Sequence, residues 1–114
     1  MRELVKVMKA LSDANRIKIV KMLQHRVLCV CEMRELLGVS QPTVSKHLKV
    51  LEEAGLVRSR KDGQWVDYHL AGEAGGPYAE ALQEQMALWL EEDPEIADIL
   101  RRLPGVSREM ICGG

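Results

Sequence analysis

The first part of the chain alternates hydrophobic and polar positions at helical spacing. Apolar residues recur every three or four positions along two segments, which predicts two short amphipathic helices. Those positions are Leu4, Met8, Leu11, Ile17, Val20 and Leu23. Asp13 stands between the two segments, where its carboxylate can accept hydrogen bonds from the free backbone N–H groups of the second helix.

A third helix is predicted in LCVCEMRELL, residues 28–37, with Gly38 as its C-cap. Successive helical residues turn by about 100°, so Cys29 and Cys31 would point to nearly opposite sides of a regular helix. Cys29 adjoins the apolar stripe, whereas Cys31 lies on the far side with Arg34. One interpretation is that Cys29 is a small core residue and Cys31 an exposed bystander; the other is that both cysteines are ligands.

The stretch GVSQPTVSKHLKVLEEAGLV predicts a fourth helix whose two faces differ in chemistry. Ser40 can cap this helix and Gly55 can end it. Val44, Leu48 and Leu51 then face inward. The outer face and its flanks carry small polar and basic residues, namely Gln41, Pro42, Thr43, Ser45, Lys46 and Lys49.

Two helices joined by a tight turn with Gly38 form the pattern of a helix-turn-helix. The second helix of that motif enters the DNA major groove, where Gln, Ser and Thr side chains donate to and accept from base edges. Lysines on the same face bind phosphates. The alternative is an ordinary helical hairpin with a solvated outer face.

After Gly55 the hydrophobic period changes from helical to strand-like. LVRSRKDGQWVDYHL contains Asp62-Gly63 between two alternating segments, which predicts a hairpin with a two-residue turn. A basic hairpin behind a helix-turn-helix is a wing, which can follow the phosphate backbone or enter the minor groove. Trp65 and Tyr68 lie in the strand body and are predicted to pack. The predicted DNA contacts of the wing are Arg58, Arg60, Lys61 and Gln64.

Residues 77–92 predict a helix with an apolar stripe wider than this small chain can cover by itself. Pairing of this helix and the first helix with those of a second copy would bury the surplus surface and create a two-fold axis. The alternative is a helix packed inside the monomer. The predicted dimer interface is Leu4, Met8, Tyr78, Leu82, Met86 and Trp89.

The predicted fold class is therefore mainly α with a small β-hairpin. We expect a winged helix-turn-helix domain over residues 1–90, with the terminal helices forming a dimer interface. Residues 93–114 are expected to add a short acidic helix and a flexible tail that contains Cys112.

Charge refines this picture, because the net charge of −1 hides an asymmetry. Residues 1–70 hold 13 Lys or Arg against 8 Asp or Glu, whereas residues 71–114 hold 3 against 9. A basic half can face a polyanion such as DNA, although simple solvated faces would give the same asymmetry. The sequence has neither an apolar run near the roughly 20 residues of a membrane span nor a signal-peptide core. We therefore expect a cytoplasmic protein with reduced or metal-bound cysteines.

Together these segments resemble the ArsR-SmtB family of bacterial metal-sensing transcriptional repressors, and most closely its arsenic-sensing type. The matching motifs are ALSDANRIKIVKML, LCVCEM, LGVSQPTVSKHLKVLEEAGLV and RSRKDGQWVDYHL. The resemblance implies a dimeric repressor that leaves its operator DNA when a metal or metalloid binds. It also implies that residues 41–49 are the recognition helix and 58–64 the wing. Cys29 and Cys31 match the Cys-Val-Cys pair that arsenic, antimony, cadmium and lead sensors use as soft-metal ligands.

The chain departs from the family pattern at other ligand positions. Arsenic sensors of the best-known type have a third cysteine where this chain has Arg34. Cadmium and lead sensors add cysteines ahead of the winged domain, which this sequence does not show, and residues 77–92 lack the histidines that zinc and nickel sensors use. Cys112 is then the candidate third thiol.

Thiolate ligands select soft ions, so we expect arsenite or antimonite as the inducer, with Cd(II) or Pb(II) as the alternative and no organic cofactor. Because Cys29 and Cys31 diverge on a regular helix, ligation of one ion by both should unwind or tilt the start of that helix. The resulting conformation would disfavour the operator.

Three further interpretations belong to other classes. A thiol redox repressor on the same scaffold would respond to oxidants in place of ions. A winged-helix protein-interaction module would leave the basic wing and the hydroxyl-rich helix unexplained. An enzyme is disfavoured, because the sequence shows no clustered nucleophile and base, no Gly-rich phosphate loop and no paired carboxylates. His25, His47 and His69 are expected to be structural.

Overall fold

The computed structural model of the protein describes residues 1–111, in which helices surround one β-hairpin. The elements are helices α1 (Arg2–Ala10), α2 (Ala14–Leu23), α3 (Val30–Leu37) and α4 (Gln41–Glu53), strands β1 (Val57–Asp62) and β2 (Trp65–Leu70), and helices α5 (Pro77–Leu88), α6 (Pro94–Arg102) and α7 (Arg108–Ile111). Short 3-10 turns lie at Gly72–Gly75 and Leu103–Gly105. The predicted mainly α architecture with a small hairpin is confirmed. None of these helices is long and apolar enough to cross a membrane.

Helix α2 is the central element of the core, since it contacts α3, α4, α5, α6 and β2. Its Ile19, Val20 and Met22 are fully buried, and Leu48 and Leu51 of α4 pack into the same cluster. Burial of each such side chain contributes about 1.5–3 kcal/mol. This packing holds α3 and α4 in one orientation relative to the rest of the chain.

The predicted caps Asp13, Gly38 and Ser40 are confirmed for helices α2, α3 and α4. Asp13 accepts hydrogen bonds from the backbone N–H groups of Asn15 at 2.8 Å and Arg16 at 3.1 Å, so α2 begins directly after it. Ser40 accepts from the N–H of Thr43 at the start of α4. Gly38 ends α3 with φ of +70°, a left-handed conformation that glycine adopts without strain.

The hairpin forms as predicted, but its turn lies one residue later than expected. Strands β1 and β2 are antiparallel, and Asp62 pairs with Trp65. The two-residue loop is therefore Gly63-Gln64, with Gly63 at φ of +62°. Position one of a type I′ or II′ turn needs a positive φ, which places the glycine there in preference to the aspartate.

Helix α5 ends at Leu88, so the expected helix over residues 77–92 is too long by four residues. The buried ammonium of Lys21 donates to the carbonyl groups of Met86 at 2.8 Å and Trp89 at 2.9 Å, and it pairs with Glu91 at 3.0 Å. These contacts satisfy carbonyl groups that a longer helix would have used itself. Leu90 then turns the chain with φ of +65°.

The segment after α5 contains the short helix α6 and, after it, the helix α7. Asp93 caps α6 as its position predicts, and Ile96 and Ile99 of that helix are buried. Val106 is also buried, and α7 contacts α3. Residues 93–111 therefore pack against the same core as the rest of the chain, and α6 contains two basic residues as well as two acidic ones. Cys112 lies outside the described residues.

A close backbone approach between Gly55 and Gly75 offers a test of this packing. A methyl group on Gly75 would come within 1.8 Å of the carbonyl oxygen of Gly55. We expect Gly75→Ala to lower the free energy of unfolding by about 1–3 kcal/mol, because the two segments would have to move apart. Chemical denaturation measures the change.

Gly105→Ala is the matched control, since a methyl group there would contact nothing within 4 Å. Its effect should stay within about 0.5 kcal/mol. Equal stability of the two variants would contradict the close approach.

Candidate functional site

The exposed face of α4 presents a continuous polar and basic surface. Val44, Leu48 and Leu51 are buried against the core, which turns the opposite side of the helix to solvent. Of the predicted DNA contacts on this helix, Thr43 is half-buried and the others are exposed, namely Gln41, Pro42, Ser45, Lys46 and Lys49. The Thr43 hydroxyl lies 2.9 Å from the Ser40 hydroxyl, so it also belongs to the helix cap.

The predicted wing contacts lie on the hairpin that follows α4. Arg58, Arg60 and Lys61 are exposed along β1, and Gln64 is exposed in the turn. Backbone hydrogen bonds between Leu28 and Tyr68 attach β2 to the segment just before α3. The hairpin is therefore held at a defined position beside the two helices.

The two cysteines lie much closer together than a regular helix would place them. Cys29 is the N-cap residue of α3, with an extended backbone at φ of −97° and ψ of 170°. Its Sγ is 3.3 Å from the Sγ of Cys31. The expectation that the side chains diverge is wrong, because it assumed that both residues are inside the helix. The two sulfur atoms are therefore close together while the start of the helix is intact.

Glu32 holds this arrangement through a capping box. Its carboxylate accepts a hydrogen bond from the N–H of Cys29 at 2.9 Å, and its own N–H faces the cysteine sulfur. The carboxylate is buried and pairs with Arg26 at 2.5 Å. Two separate contacts therefore fix the backbone at Cys29, and with it the direction of the sulfur.

Burial raises the pKa of the Cys29 thiol above its usual value, and the neighbouring Glu32 carboxylate adds to the shift. Backbone N–H groups at the helix start act in the opposite direction but do not cancel it. At neutral pH the group is therefore a neutral thiol. A metal cation that binds there must displace its proton.

The sulfur pair opens onto a cleft between α3, α4 and the wing. This cleft has a volume of about 290 Å³, and both cysteines line it. Gln41, Gln64 and Trp65 line the same cleft. Gln41 and Gln64 are predicted DNA contacts, so the cleft beside the two sulfur atoms shares lining residues with the predicted DNA-binding surface.

A third protein ligand was not found in the part of the chain that the structure describes. Within residues 1–111 there is no group of three or more His, Cys, Asp or Glu side chains arranged for a metal ion. Arg34 occupies the position of the missing family cysteine. His47 instead contacts Arg16, with 3.3 Å between its Nδ1 and the guanidinium, which is a structural arrangement.

The predicted dimer residues divide between an apolar groove and other surfaces. Met8, Leu82, Met86 and Trp89 line one groove of about 450 Å³ beside α1, α2 and α5. Met8 is 53% exposed and Trp89 49%, whereas Met86 is only 4% exposed and belongs mainly to the core. Leu4 and Leu82 are half-buried, and Tyr78 is exposed at the start of α5.

Sequence reasoning missed several residues that support the site. Glu32 could have been found, because Cys29-x-x-Glu32 has the spacing of a capping box with cysteine in place of serine. Lys21, Arg26 and Arg108 gave no local signal. Each contacts partners about 40 to 80 positions away in the sequence.

A helix with an exposed polar face, a tight turn before it and a basic hairpin behind it define a winged helix-turn-helix. Residues 13–59 match the family described as "Bacterial regulatory protein, arsR family". The chain is also 36% identical over 100 residues to the arsenical resistance operon repressor of Escherichia coli, covering 87% of this chain and 83% of that repressor. The protein therefore belongs to the ArsR family. It is a DNA-binding transcriptional repressor rather than an enzyme.

Two further similarities agree with this membership. The cadmium resistance transcriptional regulatory protein CadC of Listeria innocua is 46% identical over 63 residues, which cover 54% of this chain and 53% of CadC. The solution structure of the homodimeric winged helix-turn-helix DNA-binding domain Mb0332 from Mycobacterium bovis superimposes with a TM-score of 0.66 at 26% identity. The superposition covers 89% of this chain and 83% of that domain.

The lysines of α4 provide a test of the predicted DNA surface. We expect Lys46→Ala and Lys49→Ala each to weaken binding to any duplex and to reduce the slope of log affinity against log salt by about one. Fluorescence anisotropy on a mixed-sequence duplex measures both quantities. Lys6→Ala, on the exposed side of α1, is the control and should leave the slope unchanged. An unchanged slope in both α4 variants would contradict this DNA surface.

Proposed function

We propose that this chain is a homodimeric, cytoplasmic repressor whose operator complex dissociates when arsenite or antimonite binds to Cys29 and Cys31. Helix α4 enters the major groove, and the wing contacts the backbone beside it. The observation that carries the proposal is the 3.3 Å separation of the two sulfur atoms in a cleft that Gln41 and Gln64 also line.

The sulfur geometry favours a pyramidal ion. Two sulfurs 3.3 Å apart on bonds of about 2.3 Å, the length of a thiolate–zinc bond, subtend about 92° at the ion. Trivalent arsenic and antimony bind three sulfurs in a pyramid with a lone pair at the apex, and they use angles below the tetrahedral value of about 109°. In the reduced protein, two sulfurs at this separation would need little rearrangement to bind such an ion, which reduces the cost of binding it.

Cys112 is the proposed third ligand. Its support is the described residue next to it, since Ile111 ends a helix that contacts α3, the helix that carries Cys31. Water or a small-molecule thiol would complete the pyramid in a variant that lacks Cys112.

Release follows from the shared cleft and needs no unwinding of α3. An ion on the two sulfurs would lie against Gln41 at the start of α4 and against Gln64 and Trp65 of the wing. Any change in the spacing between α4 and the wing alters how both fit one DNA duplex. A coupling free energy of about 1–3 kcal/mol is typical of such linked sites, and it acts equally in both directions.

The apolar groove supports the homodimer. Its rim exposes Met8 and Trp89, large apolar side chains that a monomer would leave in water. A second copy related by a two-fold axis would cover both grooves at once and space two α4 helices for a palindromic operator. The homodimeric domain from Mycobacterium bovis supports the same assembly.

Cadmium or lead is the alternative inducer, and the similarity to CadC is the observation that favours it. Cadmium prefers a more open angle between its sulfurs than the pair presents, so its binding would have to move one cysteine. Oxidation of the neighbouring cysteines by peroxide is the third means of release, and it is distinguished because it occurs without any added ion.

Serine substitutions separate inducer binding from DNA binding. We expect Cys29→Ser and Cys31→Ser to bind operator normally but to require at least 10- to 100-fold more arsenite for release. Loss of a hydrogen-bond partner of a metal ligand already weakens metal binding by this factor, and loss of the ligand itself should weaken it at least as much. Serine is a favoured N-cap residue, so Cys29→Ser keeps the start of α3. Cys112→Ser should weaken the response less. Anisotropy of an operator selected from a random duplex pool measures release.

Cys29→Ser together with Cys31→Ser is the decisive variant. Normal arsenite release from it would place the inducer elsewhere and overturn the proposal. Release of the wild type by peroxide but not by arsenite would favour the redox alternative.

The pH dependence of inducer binding distinguishes the ions. Binding of Cd(II) releases the thiol proton into solution, and the pKa of Cys29 is raised. The affinity for Cd(II) should therefore increase by roughly tenfold per pH unit, between about pH 6 and 8, for each thiol proton that is released. Arsenite enters as As(OH)3, and each departing hydroxide takes one thiol proton as water. Its affinity should change little over the same range. Isothermal titration calorimetry of the reduced protein measures both affinities, and equal slopes would contradict this account.

A further inference from the structure

The side chain of Arg108 lies against the wing. Its guanidinium pairs with Asp67 at 2.5 Å and with Asp62 at 3.0 Å. It also lies over the ring of Trp65, 5.1 Å from the centroid. Charge-assisted hydrogen bonds and a cation–π contact therefore join one residue of the C-terminal segment to three residues of the hairpin.

Asp67 makes this contact necessary. Its side chain is buried on β2, directly opposite Arg60 in the strand register. A carboxylate withdrawn from water requires a partner, because an uncompensated charge in a medium of low dielectric constant is costly. In the described part of the chain the ion-pair partner of Asp67 is Arg108.

The segment that carries Arg108, residues 103–111, is itself attached to the helix-turn-helix, and we call it the C-terminal strap. Arg26 donates to the carbonyl groups of Val106 at 3.0 Å and Leu103 at 3.4 Å. The same guanidinium pairs with Glu32, which caps Cys29. The strap thus has a fixed position between the start of α3 and the wing.

The negative charges of Asp62 and Asp67 oppose the binding of the wing to DNA phosphates. The hairpin carries three exposed cations, Arg58, Arg60 and Lys61. Asp62 follows Lys61 on β1, and Asp67 lies opposite Arg60 across the hairpin, so both aspartates stand among these cations. Both would repel a phosphate backbone, and Arg108 supplies the cation that pairs with both.

We propose that Arg108 is a positioning residue for DNA binding, which offsets the negative charge of Asp62 and Asp67 so that the wing presents a stronger positive charge to operator phosphates. This inference rests on the proposed docking of the wing on DNA. Arg108 acts through the two aspartates and does not itself contact the duplex.

The test is a set of variants titrated with a mixed-sequence duplex, because the phosphate contribution is independent of sequence. Arg108→Gln should weaken binding by roughly fivefold, the effect of losing one phosphate contact near 0.15 M salt. Arg108→Lys keeps the charge and should retain most of the affinity. Addition of Asp62→Asn and Asp67→Asn to Arg108→Gln should restore the wild-type affinity or exceed it.

Two other roles give different results. If Arg108 touched phosphate itself, Arg108→Gln would cost about fivefold in the Asp62→Asn, Asp67→Asn background as well. If Arg108 only stabilised the fold, the loss of affinity in Arg108→Gln would match a loss of folded protein measured by circular dichroism. Either outcome overturns the inference. An unchanged affinity of Arg108→Gln would overturn it as well.

Two comparisons keep the test decisive. If Arg108→Gln fails to fold because Asp67 is uncompensated, the substitution is made in the Asp62→Asn, Asp67→Asn background. There, a loss of DNA affinity of fivefold or more overturns the inference, and a smaller loss supports it. Arg60→Ala with Lys61→Ala tests the docking of the wing itself. If that pair leaves affinity unchanged, the proposed function fails; if it weakens binding and Arg108→Gln does not, only the role of Arg108 fails.

Discussion

The candidate inducer site depends on one local constraint, the capping box at the start of α3. The bond from the Cys29 N–H to the Glu32 carboxylate holds Cys29 in an extended conformation outside the helix. A helical residue at that position would turn its sulfur away from Cys31. Arg26 supports the carboxylate from the other side and joins it to the C-terminal strap. The sulfur pair, the helix start and the chain end therefore form one connected unit.

Much of the fold was predictable because its signals are local. The period of apolar residues, Asp13, Gly38 and Ser40 identified the first four helices, and the glycine after Asp62 identified the hairpin. The position of the turn was missed by one residue, since strand register depends on pairing across the hairpin. The end of α5 was missed for a related reason, because the ammonium that takes its last carbonyls belongs to Lys21.

The site was predicted in its residue types but not in its geometry. The Cys-x-Cys spacing and the family resemblance singled out Cys29 and Cys31, whereas the regular-helix argument wrongly placed their sulfurs apart. One residue of difference in the helix boundary reverses that conclusion. The role of the C-terminal strap could not be read from the sequence at all, because Arg108 and Asp67 are 41 positions apart and neither stands in a recognisable motif.

The shared cleft has a consequence for how such a protein can change over generations. Gln41 and Gln64 line the sulfur site and also belong to the predicted DNA-reading surface. A substitution at either position that suited a new promoter would at the same time alter the shape and polarity around the bound ion. Under the proposed function, target choice and ion selectivity are therefore not independent traits in this scaffold. When the DNA target changes, we expect the residues around the ion site to change together with it.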